Sequence, residues 1–149
     1  MKIITTIITS LVLAATAFAG NLVNVSGASN IAVNGYDTVA FFTEEKPVHG
    51  SPSITAEHQG ATYLFSSEEN KAKFEKSPEK YAPQFGGFCA YGASVGALFP
   101  IDIDTFQIID GKLYLNLNPE IVKVFNKDQA DNLAKAKKAW PELEEKNSK

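Results

Sequence analysis

Hydrophobic and polar positions alternate with a period of two in two stretches of the chain and recur at helical spacing in others. Ser53 to His58 sets Ile54 and Ala56 against polar Thr55 and Glu57, and Ala61 to Phe65 follows after Gln59-Gly60. Two such runs joined by two residues ending in glycine predict a β-hairpin with Ala56 facing Tyr63, Ile54 facing Phe65 and His58 beside the turn. Phe106 to Ile109 and Lys112 to Asn116, joined by Asp110-Gly111, give a stronger hairpin signal. Phe106, Ile108, Leu113 and Leu115 then share one core-facing side.

Helix signals flank these hairpins. Ser66-Ser67-Glu68-Glu69 reads as a capping box, with the Ser66 hydroxyl satisfying a free N–H and Glu69 reaching back, which predicts a helix from there to about Lys76. Ser77-Pro78 ends it and opens a short second turn through Tyr81, before Pro83. Asn118-Pro119-Glu120 supplies a cap, a first-turn proline and an early acid for a helix to about Asn126, with Ile121, Val124 and Phe125 at helical spacing. Asp128 caps a last helix with Leu133, Ala136 and Trp140 in one stripe, and Pro141 ends it. Lys135, Lys137 and Lys138 form its solvated C-terminal face, where cations suit the helix dipole. Val39 to Phe42 fits either a buried strand or a turn of helix, and Asn34 to Asp37 is a turn signal. No internal repeat is visible. The fold class is α+β: two antiparallel β-hairpins packed with three or four short helices in a single compact domain.

The chain opens with Lys2, an apolar run from Ile3 to Ala14 and Ala17-Phe18-Ala19 before Gly20. This order is that of a cleaved secretory signal, and the apolar run is too short to cross a bilayer comfortably. Residues 1–19 are therefore read as signal peptide, 20–33 as a mature N-terminal lead-in that is loosely ordered over Asn21 to Asn30 and firms up near Ile31, 34–141 as the folded domain and 142–149 as a C-terminal tail. Localisation follows as periplasmic or secreted, with no stable membrane insertion after cleavage and no cysteine at the cleavage site for a lipid anchor.

Charge narrows the partners. The net charge is −3 and the 149 residues contain no arginine, so the bidentate fork on which nucleic-acid recognition leans is missing. Cys89 is the lone cysteine, so an internal disulfide is impossible and the thiol is buried, paired with another molecule, or liganded. It lies in Gly86-Gly87-Phe88-Cys89-Ala90-Tyr91-Gly92, where close-approaching glycines alternate with aromatic side chains.

Longer stretches carry a resemblance. Gly35-Tyr36-Asp37-Thr38-Val39-Ala40-Phe41-Phe42, Lys46-Pro47-Val48-His49-Gly50-Ser51, Gly60-Ala61-Thr62-Tyr63-Leu64-Phe65-Ser66-Ser67, Tyr81 to Tyr91 and Asp110 to Asn116 follow one another collinearly. Together they resemble the YHS domain in the form found in small exported bacterial proteins, which makes 34–141 a YHS-like domain. YHS domains attached to heavy-metal pumps resemble small metal sensors or carriers with three cysteines. The positions matching those cysteines are Ala40, Ser66 and Asn70 here, and none of them is a thiolate ligand.

A soft-metal site needs several soft or imidazole donors converging on one point. Downstream of the signal the chain offers Cys89, His49 and His58 and no methionine. The leading expectation is an exported binding protein that takes a soft transition metal, copper first, through Cys89 and a histidine. The alternative is a protein-interaction or structural module, with a periplasmic protein partner, whose cysteine is buried and inert. Asp102 and Asp104 share a side of an extended strand, with a solvated edge as the default and a hard-metal or acid/base pair as the rival. Catalysis is not expected, because no base accompanies Cys89 in sequence and no CxxC pair, zinc-protease helix, phosphate loop or nucleophile elbow is present.

Overall fold

The computed structural model describes residues 22–148; the expected signal peptide and cleavage site lie outside the described residues. Strands β1 (Val25–Ser26), β2 (Ile31–Ala32), β3 (Ser51–His58) and β4 (Ala61–Phe65) form one sheet in the order β1-β2-β4-β3. Strands β5 (Asp102–Ile109) and β6 (Lys112–Asn116) form a second, antiparallel pair. The helices are α1 (Ala40–Thr43), α2 (Glu68–Lys76), α3 (Pro78–Tyr81), α4 (Ala90–Ser94), α5 (Pro119–Lys127) and α6 (Gln129–Asn147), with short 3-10 turns at Val33–Gly35 and Gln84–Gly87. The mixed α+β class holds, with more helices than the three or four expected.

Both hairpins form where the alternation placed them. Gln59 and Gly60 have φ of 51° and 76°, and Asp110 and Gly111 have 50° and 72°. Positive φ at both central residues suits the right-handed twist of the flanking strands. Ala56 pairs with Tyr63 as expected, but the ladder shifts between Ser51 and Thr55, so Phe65 faces Ser51 and not Ile54. Pro52, lacking an N–H, falls inside that irregular stretch. β5 shifts similarly between Asp102 and Gln107. There the Asp104 N–H donates to Asp102 Oδ1 at 3.0 Å, so Asp102 is folded back on its own backbone.

The core has two clusters. Phe41, Tyr63, Phe65, Phe74, Leu113 and Leu115 anchor the first; Phe85, Tyr114, Phe125, Ala136 and Leu143 form most of the second. β6 serves both, because successive strand residues point to opposite faces. Ile108 was expected in the core yet is 39% exposed, while Tyr114, on the other side of β6, is buried. Alternation alone did not show that β6 is covered on both faces while β5 lies at an edge.

Three local expectations are corrected by tertiary contacts. The cap of α2 is Ser67, whose side chain accepts from the Asn70 N–H, and Ser66 is used elsewhere. α6 runs through Pro141 to Asn147, because Leu143 is buried in the second cluster and holds the turn beyond the proline; Asp128 makes no side-chain cap bond. The pairing of Ile31 with Thr62, parallel between β2 and β4, agrees with structure firming near Ile31, but the described residues before it are ordered too: β1 pairs with β2, and the Asn24 side chain donates to Gly87 O at 3.1 Å.

Candidate functional site

The most elaborate polar feature is Asp37, which is 0% exposed. Its Oδ1 accepts from the Val39 N–H at 2.9 Å and the Ala40 N–H at 3.2 Å, closing the first turn of α1. Its Oδ2 accepts from the Ser66 N–H at 2.8 Å, the Ser66 hydroxyl at 2.6 Å and the Asn70 amide at 2.8 Å. A buried carboxylate is tolerated only when its oxygens are met by donors. Here the sequence supplies them locally from the α1 turn and remotely from the β4 to α2 junction. Ala40, Ser66 and Asn70, scattered in sequence, thus meet at one carboxylate.

Cys89 is also 0% exposed. Its Sγ accepts from the Gly92 N–H at 3.3 Å and donates to Asn116 Oδ1 at 3.5 Å, while the Tyr91 N–H donates to the same oxygen at 3.0 Å. Burial pushes the thiol pKa up, and the backbone N–H groups of Gly92, Leu117 and Tyr91 oppose that rise. The result is an unactivated thiol, since a reactive cysteine requires a lowered pKa and access.

Neither imidazole is a partner of that sulfur. His49 is exposed on the loop before β3 and stacks on Tyr36 with ring centroids 4.2 Å apart. His58 is half-buried at the end of β3, edge-on to Phe74 at 5.8 Å and 6.2 Å from Tyr63. Among the described residues no group of three or more His, Cys, Asp or Glu side chains is placed to hold a metal ion. His58 instead borders an open groove of about 420 Å³ that Tyr63, Lys80, Gly86, Lys112 and Trp140 also line. Burial raises the Tyr63 phenol to about 12.

Residues 40–85 match the model of the YHS domain family. Over this segment the chain is similar to a YHS domain. The match spans α1 through the second 3-10 turn and includes Ser66 and Asn70, while Asp37 lies just before it. No curated protein and no solved structure matches the chain. YHS domains are associated with metal binding, so the donor set of the matched segment is compared with what such an ion needs. The three converging positions supply two backbone N–H groups, a hydroxyl and an amide, four of the five donors that meet the Asp37 carboxylate. That set does not fit a soft metal ion.

Asp37 and Asn116 are the important polar residues that sequence reasoning missed. Asp37 was legible only as part of a turn signal, and Asn116 only as the end of a strand. Their roles depend on contacts across about thirty residues for Asp37 and a comparable span for Asn116.

Proposed function

We propose that this protein is an exported, non-catalytic YHS module that acts by binding a partner, with Cys89 serving the fold and not as a copper ligand. The observation that carries this reading is the saturation of Asp37 by Val39, Ala40, Ser66 and Asn70. Where the resemblance aligns the cysteines of metal-carrying relatives, this chain builds an internal hydrogen-bond network. The buried, unactivated thiol also supports a non-enzymatic role.

Copper capture by Cys89 with His49 or His58 is the competing reading, favoured by the YHS match and by the N–H groups that face the sulfur. It requires the sulfur to be uncovered and an imidazole to be brought to it. Titration of the mature protein with Cu(I) under reducing conditions separates the two. The expected outcome is no thiolate-to-metal absorption and an affinity unchanged by Cys89→Ser. A strong band that vanishes in C89S, together with affinity lost in H49A or H58A, would establish the copper reading instead. Export is checked by sequencing the N-terminus of protein recovered outside the cytoplasm, expected at Gly20 or Asn21.

A further inference from the structure

The element order of the chain repeats. The 3-10 turn Val33–Gly35 is followed by α1, β3, β4, α2 and α3; the 3-10 turn Gln84–Gly87 is followed by α4, β5, β6, α5 and α6. The repeat extends to single residues. β3 and β5 have eight residues each, β4 and β6 five, α2 and α5 nine, and each of these elements in the second set starts 51 positions after its counterpart. α3 and α6 begin at Pro78 and Gln129, with the same spacing. Both hairpins have the same two-residue positive-φ turn and the same ladder shift near the start of the first strand.

Backbone angles agree as closely. Val33, Asn34 and Gly35 have φ of 52°, 51° and 81°, and Phe85, Gly86 and Gly87 have 53°, 59° and 78°. The residue between α2 and α3, Ser77, has φ −146° and ψ 65°; Asp128, between α5 and α6, has −143° and 56°. Three consecutive left-handed residues, two of them non-glycine in the first turn, are too unusual to coincide by chance. In sequence the copies share only Gly60 with Gly111, Tyr63 with Tyr114, Leu64 with Leu115, Glu69 with Glu120, Phe74 with Phe125 and Lys76 with Lys127 across the hairpin and following helix. Identity that sparse leaves no repeat visible in the sequence, and the expectation of a chain without one is corrected by the backbone.

We infer that the second half of the chain, from Gln84 through the start of α6, is a diverged second YHS-type unit packed against the first, and that Cys89 occupies in it the place of Asp37. The hydrogen bonds make the equivalence specific. Asp37 N–H donates to Val48 O at 2.8 Å, and Cys89 N–H to Phe99 O at 3.1 Å. The carboxylate accepts from the N–H groups of Val39, Ala40 and Ser66. The sulfur faces those of Tyr91, Gly92 and Leu117, their counterparts. The side-chain donors differ: where the first unit has Ser66 and Asn70, the second has Leu117 and Ile121. A carboxylate needs those extra donors, whereas a thiol is satisfied by the backbone groups and by giving its own proton to Asn116. Cys89 is thus the hub of the second unit, a positioning residue for the start of α4 and the end of β6.

Transplanting the first hub into the second tests this independently of any metal. Cys89→Asp alone is expected to lower the thermal midpoint strongly, and the triple variant C89D/L117S/I121N to recover much of that loss, since the new hydroxyl and amide reach the carboxylate. Non-additivity of this kind reports a shared network. A triple variant no more stable than C89D, or unfolded alongside it, would overturn the equivalence, as would a C89D as stable as the natural protein, since the carboxylate would then need no added donors. Amide exchange gives a second readout that does not depend on the aspartate variants. Protection of the Gly92 and Leu117 N–H groups should survive Cys89→Ser, which keeps an acceptor, and fall in Cys89→Val. Equal protection in both would also overturn it. Because no metal enters either measurement, copper binding could be demonstrated and this inference still stand or fall on its own.

Discussion

At the scale of single residues, stability concentrates on two buried acceptors surrounded by N–H groups. Removing one acceptor strands several donors at once, and an unpaired buried polar group costs more than a typical hydrogen bond contributes. Asp37→Ala is therefore expected to cost roughly 3 kcal/mol or more, measured as the shift in urea unfolding free energy. Asp37→Asn should fall between, because its amide keeps one acceptor but turns two donor hydrogens toward Ser66 and Asn70. Titration adds a second residue-scale prediction. Tyr63 is raised from 10.0 to about 12 by burial. A group whose pKa is higher folded than unfolded contributes stability that is fully present below the unfolded pKa and lost as pH rises toward the folded one. For Tyr63 that amounts to roughly 2–3 kcal/mol lost between about pH 10 and 12. Cys89 is shifted in the same direction, so the decline should begin somewhat lower. Tyr63→Phe should flatten the upper part of that profile in alkaline unfolding curves. Of these residues, Cys89 and both histidines were candidates in the sequence because their chemistry is visible in their letters. Asp37 was not, because a carboxylate in a turn looks the same whether water or five protein donors surround it.

At the scale of elements, helix ends and close backbone approaches carry the most information. Ser67 and Asn118 each accept from the N–H three residues on, at 3.1 Å and 2.9 Å. Ser67→Ala and Asn118→Ala are each expected to cost about 1 kcal/mol in chemical denaturation. Gly86 is a different case. Its φ is +59°, and a Cβ there would lie 2.1 Å from the Leu22 carbonyl oxygen. Gly86→Ala should thus displace the strand-forming N-terminal segment, seen as lost amide protection at Asn24, whose N–H donates to Gly86 O. The hairpins were legible in the sequence because their turns and alternation are local. The cap was placed one residue early because Ser66 and Ser67 are chemically alike, and only the position of Asp37 decides which hydroxyl faces the helix. Pro141 read as a stop because a proline removes one hydrogen bond; the burial of Leu143 outweighs that local preference.

At the scale of the whole molecule, β6 ties the two units together. Leu113 and Leu115 belong to the cluster built around the first unit, and Tyr114 to that of the second. Units joined through one strand whose two faces belong to different clusters should not unfold separately. Trp140 fluorescence, which reports the second cluster, and far-UV circular dichroism, which reports the whole chain, are expected to give coincident transitions. Phe74→Ala and Phe125→Ala, each truncating a fully buried ring, should lower that common stability by comparable amounts, about 3–5 kcal/mol each. The amino-acid sequence by itself determined the element types, both hairpin turns and the α+β class, since turn chemistry, capping and periodicity act over a few residues, and its motifs carried the resemblance to the YHS domain. Tertiary structure alone decided which hydroxyl caps α2, which face of β6 is buried, that Asp37 and Cys89 are equivalent hubs, and that the chain is built twice. Those facts rest on backbone groups brought together from distant positions, and a backbone N–H carries no letter in the sequence.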